Sequence, residues 1–255
     1  MKGLSRHDHG MTESEIACVQ ARYGKGPSVA ADMAVVTGHW DNCVEGETSC
    51  TLELRLLLIE RKNKPYQGCW ALPGGFVELD EDLECAARRE LKEETGIETL
   101  GSSCVEQVGA FGNPSRDPRG RVVGVTFLAW IRESELPEVC GGDDAANAEF
   151  FRFCNGVAID GCGSAVPLAF DHDEVLLAIW ERMVRQAQCS SIPLTLLPDC
   201  FGREQIVALY EALCGSFEPD VLIGFLEFSG WIRREGSMWT RALGHSGALR
   251  FPWIR

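Results

Sequence analysis

The segment Gly75–Ile97 reads GFVELDEDLECAARRELKEETGI. Its residues predict a helix from Asp80, as N-cap, to a stop at Gly96, with acidic side chains in the first turn, where the helix dipole favours them. In its last two turns the helix carries a cluster of three carboxylates, on Glu90, Glu93 and Glu94. Since each residue turns about 100°, the three lie within an arc of roughly 100° on one face. Their repulsion costs about 0.2–0.5 kcal/mol per pair, so a purely structural helix gains nothing from this cluster.

The carboxylate cluster favours a metal site. Hard oxygen ligands on one face suit Mg²⁺, with Mn²⁺ as a second choice, and the cation would neutralise their repulsion. Gly74 and Gly75 precede the helix, and without side chains their backbone can approach a metal ion or a phosphate closely. The alternative is a solvated acidic face with Arg89 and Lys92 as ion-pair partners. The glycines and the strand expected before the helix favour the metal site.

The spacing of nine residues across this stretch resembles the sequence signature of the Nudix hydrolases. They are Gly75, Glu81, Arg89, Glu90, Leu91, Glu93, Glu94, Gly96 and Ile97. The resemblance implies a Nudix α/β/α sandwich with a mixed sheet, and an enzyme that cleaves a nucleoside diphosphate linked to another group, X. It implies that Glu90, Glu93 and Glu94 hold the metal together with a carbonyl of Gly74. It also implies catalytic roles for Glu90 and Glu93, with Arg89 as the ion-pair partner that orients them.

A general base is expected outside the helix, because relatives often use a carboxylate there. Asp143 and Asp144 lie in a loop, Gly141–Ala146, before a predicted strand, and Asp144 is the candidate base. The alternative is an acidic turn without a catalytic role, since Asp commonly forms turns.

A second segment points to the substrate. Gly112–Trp130, GNPSRDPRGRVVGVTFLAW, is similar to the corresponding segment of ADP-ribose pyrophosphatases and of Nudix-derived regulators of NAD metabolism. The similarity implies that ADP-ribose is cleaved to AMP and ribose 5-phosphate. Arg116, Arg119 and Arg121 are the candidate substrate ligands, because a guanidinium group binds phosphate through two hydrogen bonds at once. The alternative is a solvated basic turn.

The segment Pro167–Glu174, PLAFDHDE, also resembles those regulators. His172 stands between two aspartates, a pattern that a metal site would also produce. We expect instead that Asp171 or Asp173 caps the helix predicted over 173–188, with His172 in its first turn.

Further apolar and alternating runs predict the other elements. Strands are expected at Ala30–Thr37, Thr51–Arg61, Cys104–Phe111, Val122–Ile131 and Ala148–Phe153. Two short amphipathic helices, Arg203–Cys214 and Pro219–Phe228, precede a small hairpin, which is the element order of a winged helix. The chain therefore divides into a polar N-terminal segment (1–28), a Nudix domain (29–190) and a winged-helix-like domain (191–255).

The winged-helix-like region raises an alternative function. In the regulators that the chain resembles, this region binds DNA and ADP-ribose releases it. Residues 191–255 contain six Arg or Lys and seven Asp or Glu, and the second helix offers Asp220 and Glu227 but no cation. Because DNA binding depends on cations at the phosphates, we do not favour it. Arg233, Arg234 and Arg241 on the wing leave it open.

Composition narrows the remaining classes. The formal net charge of −14 argues against broad, non-specific binding of nucleic acid. No apolar run reaches the roughly 20 residues of a membrane helix, and the polar N-terminus lacks an apolar signal segment. No membrane partner and a cytoplasmic location are therefore expected. The 12 cysteines lack zinc or redox spacing, which predicts reduced, buried thiols. A homodimer would fit the family that the chain resembles.

Overall fold

The computed structural model describes residues 26–41, 50–100, 104–137, 139, 141–142 and 145–242. Most of the predicted N-terminal segment, 1–28, and the candidate base loop at Asp143 and Asp144 lie outside the described residues.

A mixed sheet forms the first part of the molecule. Its strands are β1 (Ser28–Asp41), β2 (Thr51–Arg61), β3 (Trp70–Ala71), β4 (Gly74–Phe76), β5 (Val105–Phe111), β6 (Val122–Trp130), β7 (Ala145–Cys154) and β8 (Val157–Ile159). The order is β5-β6-β1-β2-β7-β8, with β3 paired to β2 and β4 paired to β1. Only β1 and β6 pair in parallel among these described strands. The predicted mixed sheet is thereby confirmed, and each predicted strand is present.

The central strand β1 is buried on both faces of the sheet. Its successive residues alternate between two cores: Ala31, Met33 and Val35 face one, and Ala34 and Val36 face the other. Two-sided burial explains why the sequence of β1 is almost continuously apolar instead of alternating.

Two helices cover the two faces of the sheet, which confirms the α/β/α sandwich. The first, α1 (Leu83–Thr95), packs Ala86, Ala87 and Leu91 into one core, and α2 (His172–Cys189) packs into the other. The N-cap of α1 is Asp82, so the prediction of Asp80 is wrong. The carboxylate of Asp82 accepts the backbone N–H of Leu83 at 2.6 Å, and the chain before it is still in the turn. Gly96 ends the helix in the left-handed region, at φ 77°, as predicted.

The second part of the molecule has the predicted order of two helices and a hairpin. A 3-10 turn (Ile192–Leu196) is followed by β9 (Cys200–Phe201), α3 (Arg203–Cys214), α4 (Pro219–Phe228), β10 (Ile232–Glu235) and β11 (Met238–Arg241). The three strands form a small antiparallel sheet in the order β10-β11-β9. The short β9 was not predicted, because a two-residue strand leaves no periodic pattern.

One hydrophobic core spans both parts. Leu209, Leu226 and Trp231 belong to the same buried cluster as Leu54 of β2 and Ile179 of α2. Polar contacts follow the same junction: the indole N–H of Trp40 donates to the carbonyl of Leu196 at 3.1 Å, and Arg132 and Arg241 both bind Asp199. The domain boundary at 190/191 stays a prediction.

The cysteines differ from the prediction of reduced, buried thiols. Cys50 is disulfide-bonded, and several free cysteines are exposed, namely Cys85, Cys104, Cys154, Cys162 and Cys200. Cys154 shows the physical reason, because alternation along β7 turns every second side chain into solvent. No helix in the described ranges is long and apolar enough to cross a membrane.

The shared core leads to a prediction about stability. Leu209 on α3 is fully buried, so Leu209→Ala leaves a cavity and should lower the free energy of unfolding by about 2–5 kcal/mol. Denaturant unfolding, followed by tryptophan fluorescence, should remain a single transition at lower denaturant. Val221→Ala is the control, since its half-exposed side chain should cost no more than about 0.5 kcal/mol. Two transitions, of which only one moves, would contradict the shared core.

Candidate active site

A cavity of about 390 Å³ opens where β1, β4, α1 and the loop before β6 meet. The lining residues with chemistry of interest are Asp32, Gly74, Gly75, Glu90, Glu94, Arg116 and Arg119. The helix predicted from the sequence therefore presents two of its three clustered carboxylates to this cavity.

Arg89 ties the carboxylates of the first helix together. Its guanidinium donates to Glu81 at 2.7 and 3.1 Å, to Glu90 at 2.8 Å and to Glu93 at 3.1 Å. It also donates to the carbonyl of Phe76 at 3.1 Å, just beyond the two glycines. These bonds, foremost those to Glu81, raise the pKa of Arg89. A permanent cation therefore fixes Glu90 and Glu93 relative to the glycine turn.

Glu94 is the most buried carboxylate of the cluster. One of its oxygens accepts the backbone N–H of Gly74 at 2.9 Å. Burial raises the pKa of Glu94 to about 8, against the lowering effect of that hydrogen bond, and the charges of Glu90 and Asp32 add to the rise. Burial likewise raises the pKa of Glu90, although Arg89 opposes it. Keeping these carboxylates ionised therefore costs free energy, and a bound cation would reduce that cost.

Asp32 belongs to the site and was missed in the sequence. It is buried on β1, and a Cβ added at Gly74 would lie 2.2 Å from its Oδ1. Burial raises the pKa of Asp32 to about 7, while Arg116 opposes the shift and Asp171 and Glu90 add to it. The available signal was a single carboxylate within the otherwise apolar run Ala30–Thr37, since a buried charge needs a partner.

The donor set fits a hard divalent cation. A Cβ at Gly75 would lie 2.2 Å from Oε1 of Glu90, so a side chain there would displace the carboxylate that Arg89 holds. All the groups here are oxygen donors, the type that Mg²⁺ and Mn²⁺ prefer. Within the described ranges, no cluster of three or more His, Cys, Asp or Glu side chains is placed so that it could hold a metal ion. Glu93 is 44% exposed and turns to Arg89, whereas Glu90 and Glu94 face the cavity.

Arg116, a predicted substrate ligand, lines the cavity but is almost fully buried. Its side chain is 5% exposed and makes two hydrogen bonds to Asp171, at 2.8 and 2.9 Å. A Cβ at Gly124 would lie 2.7 Å from its guanidinium. The prediction that a side chain of Asp171 or Asp173 caps α2 is therefore wrong. Asp171 occupies the N-cap position, but its carboxylate makes no capping bond because it binds Arg116. Neither does the side chain of Asp173 serve as the N-cap.

His172 lies in the first turn of α2, as predicted, and is buried. Its Nδ1 accepts the backbone N–H of Leu72 at 3.1 Å. Burial lowers the pKa of His172 to about 4, and the nearby charge of Arg116 contributes. A neutral imidazole here fixes the backbone just before Gly74 to the start of α2.

The other two predicted arginines differ in position. Arg119 lines the cavity and is held by Asp117 through bonds of 2.7 to 3.1 Å. Arg121 does not line the cavity, and its guanidinium donates to the carbonyl of Gly112 at 2.7 Å. The structure thus brings Arg119 to the carboxylates and leaves Arg121 apart from them.

Known protein families and single proteins match parts of this chain. The NUDIX domain family matches residues 49–155. An ADP-ribose pyrophosphatase of Methanocaldococcus jannaschii is 43% identical over 48% of this chain and 63% of its own length. An ADPR responsive transcriptional repressor, NtrR, of Acinetobacter baylyi is 34% identical over 64% of this chain and 61% of its own length. The chain thus spans less than two thirds of either relative. A MutT-like protein of Streptomyces ambofaciens is 33% identical, with 44% of this chain and 73% of that protein covered.

Solved structures match both parts of the fold. NrtR of Shewanella oneidensis, solved with a 27mer DNA, superposes with a TM-score of 0.65 at 24% identity, covering 88% of this chain and 97% of that one. The NUDIX domain of the same NrtR, solved with ADP ribose, gives a TM-score of 0.51 at 29% identity, covering 68% of this chain and 99% of that one. With the sequence matches and the glycine–carboxylate site, these findings lead to one conclusion: the chain belongs to the Nudix family.

Proposed function

We propose that the chain hydrolyses the diphosphate bond of ADP-ribose to AMP and ribose 5-phosphate, with Mg²⁺ as its cofactor and Mn²⁺ as a substitute. The proposal depends on the half-buried Glu90 and the buried Glu94, which lie beside the Gly74–Gly75 backbone in a cavity that Arg119 also lines. The substrate is supported by the identity of 43% to an ADP-ribose pyrophosphatase. The likeness to a NUDIX domain solved with ADP ribose supports it as well.

The proposed metal ligands are Glu90, Glu93, Glu94 and the carbonyl of Gly74. When bound, the cation neutralises charge that develops on the diphosphate and makes water a better nucleophile. Arg89 keeps Glu90 and Glu93 from moving apart. Glu93 lies at the exposed edge of the cluster, 3.1 Å from Arg89, and would be the most accessible of the three carboxylate ligands.

The remaining roles belong to charged groups around the cavity. Arg119 is the proposed phosphate ligand, because 44% of its side chain is exposed. Arg116 already satisfies its guanidinium with Asp171, so we assign it to positioning Asp32 and the start of α2. Arg121 would have to leave the carbonyl of Gly112 to reach substrate. Asp144 stays the proposed base, and a homodimer and a cytoplasmic location stay predictions of the sequence.

Glu94→Gln tests the metal-dependent mechanism. Glutamine keeps the shape and can still accept the N–H of Gly74, but it removes one negative charge from the site. We expect kcat for ADP-ribose with Mg²⁺ to fall at least 100-fold, about 2.7 kcal/mol of transition-state stabilisation. The assay measures AMP and ribose 5-phosphate directly.

Glu84→Gln is the matched control, because Glu84 lies on the same helix but pairs with Arg88 on the exposed side. This variant should keep wild-type activity. Wild-type hydrolysis that is equally fast in EDTA would rule out the metal mechanism. Efficient hydrolysis of 8-oxo-dGTP without hydrolysis of ADP-ribose would show that the proposed substrate is wrong.

A second candidate function is the binding of DNA by residues 191–242. The element order and the likeness to a repressor of Acinetobacter baylyi favour it. The charges of α4 oppose it: Asp220 pairs with Arg203, and Glu227 accepts the indole N–H of Trp239 at 2.7 Å. The outer face of α4 instead exposes apolar side chains, with Phe228 at 86%. We propose that this region does not bind DNA strongly.

Fluorescence anisotropy at about 0.1 M salt tests this proposal. With DNA from the region upstream of the protein's own coding sequence, we expect only non-specific binding, at about 10⁻⁶ M or weaker. Replacing Arg233 and Arg234 together with Glu should weaken this residual binding on every DNA sequence alike. Nanomolar, sequence-specific binding that ADP-ribose reverses would instead identify a regulator.

A further inference from the structure

A second cavity adjoins the candidate active site. It is a shallow depression of about 680 Å³, and its lining residues are Lys64, Pro65, Tyr66, Gln67, Pro118 and Arg119. Arg119 lines both this depression and the cavity that holds the carboxylates. A ligand longer than a diphosphate can therefore extend from one cavity into the other past a single guanidinium.

Aromatic rings and guanidinium groups form a continuous row along this wall. The guanidinium carbon of Arg119 lies 4.9 Å from the ring centre of Phe76 and 5.5 Å from that of Phe170. The ring of Phe170 lies 4.9 Å from the ring of Tyr66, and Arg61 covers Phe170 at 4.8 Å. The row begins at the glycine turn and ends in the depression.

Two residues of the row have a strained backbone. Tyr66 has φ 61° and Phe170 has φ 57°, a left-handed conformation that is uncommon and unfavourable for bulky side chains. Tyr66 is held by hydrogen bonds within its loop: Cys69 donates to its carbonyl at 3.0 Å, and Arg61 donates to the carbonyl of Pro65 at 3.0 Å. Yet Tyr66 remains 40% exposed. The fold thus keeps a strained aromatic residue where it buries only part of the ring.

Asp117 fixes the orientation of Arg119 in this row. Its side chain is almost fully buried, and it binds Nε and a terminal nitrogen of Arg119. Burial tends to raise the pKa of Asp117, but the hydrogen bonds from Arg119 outweigh it and lower the pKa. A guanidinium held at two nitrogens stays at the junction of the two cavities, where its remaining N–H groups can donate to a phosphate.

We propose that this depression binds the nucleobase half of the substrate, stacked on Tyr66, while the diphosphate lies between Arg119, at the junction of the two cavities, and the carboxylates of Glu90 and Glu94. A planar heterocycle matches the flat groups here, which include Pro65 and Pro118. None of the six lining residues carries a carboxylate, and Lys64 and Gln67 offer polar groups to the edge of the base. The inference rests on the proposed function, since it assigns the nucleoside side of the same substrate.

Tyr66→Gly is the most direct test. Glycine adopts positive φ without strain, so the loop should keep its conformation while the ring is lost. Base–aromatic stacking contributes about 1–3 kcal/mol per base, so we expect KM for ADP-ribose to rise about 10-fold or more with kcat within about 2-fold of wild type. A diphosphate that joins two riboses and has no base should be hydrolysed equally well by both proteins.

Two further variants serve as controls. Tyr66→Phe keeps the ring and loses only the hydroxyl, so it should recover most of the affinity for ADP-ribose that Tyr66→Gly loses. Phe228→Ala removes an exposed aromatic ring on α4, outside both cavities, and should leave both substrates unaffected. An equal loss with both substrates, or an unchanged KM for ADP-ribose in Tyr66→Gly, would overturn the inference.

Calorimetry that measures the affinities for AMP and for ribose 5-phosphate distinguishes a failure of this inference from a failure of the proposed function. If the wild type hydrolyses neither diphosphate but prefers AMP, and Tyr66→Gly removes that preference, the base site stands and the proposed function fails. If the wild type shows no preference for AMP, or Tyr66→Gly keeps the preference, the base site is wrong even when hydrolysis is observed.

Discussion

Burial of carboxylates beside a glycine backbone is the constraint on which the rest of the site depends. Glu94 and Asp32 flank Gly74, one through its backbone N–H and the other so closely that a Cβ there would lie 2.2 Å from the carboxylate. Charge in such a position is costly unless a cation compensates it. Arg89 and Arg116 provide part of that compensation from opposite sides, and each is held by further acidic groups. The negative charge that remains uncompensated faces the cavity.

The sheet and the helices hold these carboxylates in their positions. One face of α1 packs Ala86, Ala87 and Leu91 into a core, which leaves its carboxylates on the side of the cavity. The central strand β1 places Asp32 opposite Gly74, because β4 pairs with it in that register. The same sheet continues into a core shared with the second part of the chain. A rigid support of this kind is what a site of crowded like charges requires, since relaxation would let the carboxylates separate.

The sequence predicted features that depend on local pattern and missed those that depend on distant partners. The strands, the end of α1 at Gly96 and the two helices after residue 200 follow from periodicity and turn residues. The role of Asp171 could not be predicted, because its partner Arg116 lies 55 positions away and a capping role was equally consistent with the local sequence. The short strands β3 and β4 form only through pairing with β2 and β1. The positive φ of Tyr66 was likewise unpredictable, since nothing in its side chain favours that conformation.

The central claim is that Glu90 and Glu94 are arranged for a divalent cation, and the most direct measurement is the thermal unfolding midpoint with and without Mg²⁺. Ligand at about 10 to 100 times its Kd stabilises the folded state by about 1.4–2.7 kcal/mol, which corresponds to a rise of about 3–10 °C for a chain of this size. We expect such a rise for the wild type and its near-complete loss in Glu94→Gln. No rise in the wild type, or an equal rise in both proteins, would contradict it.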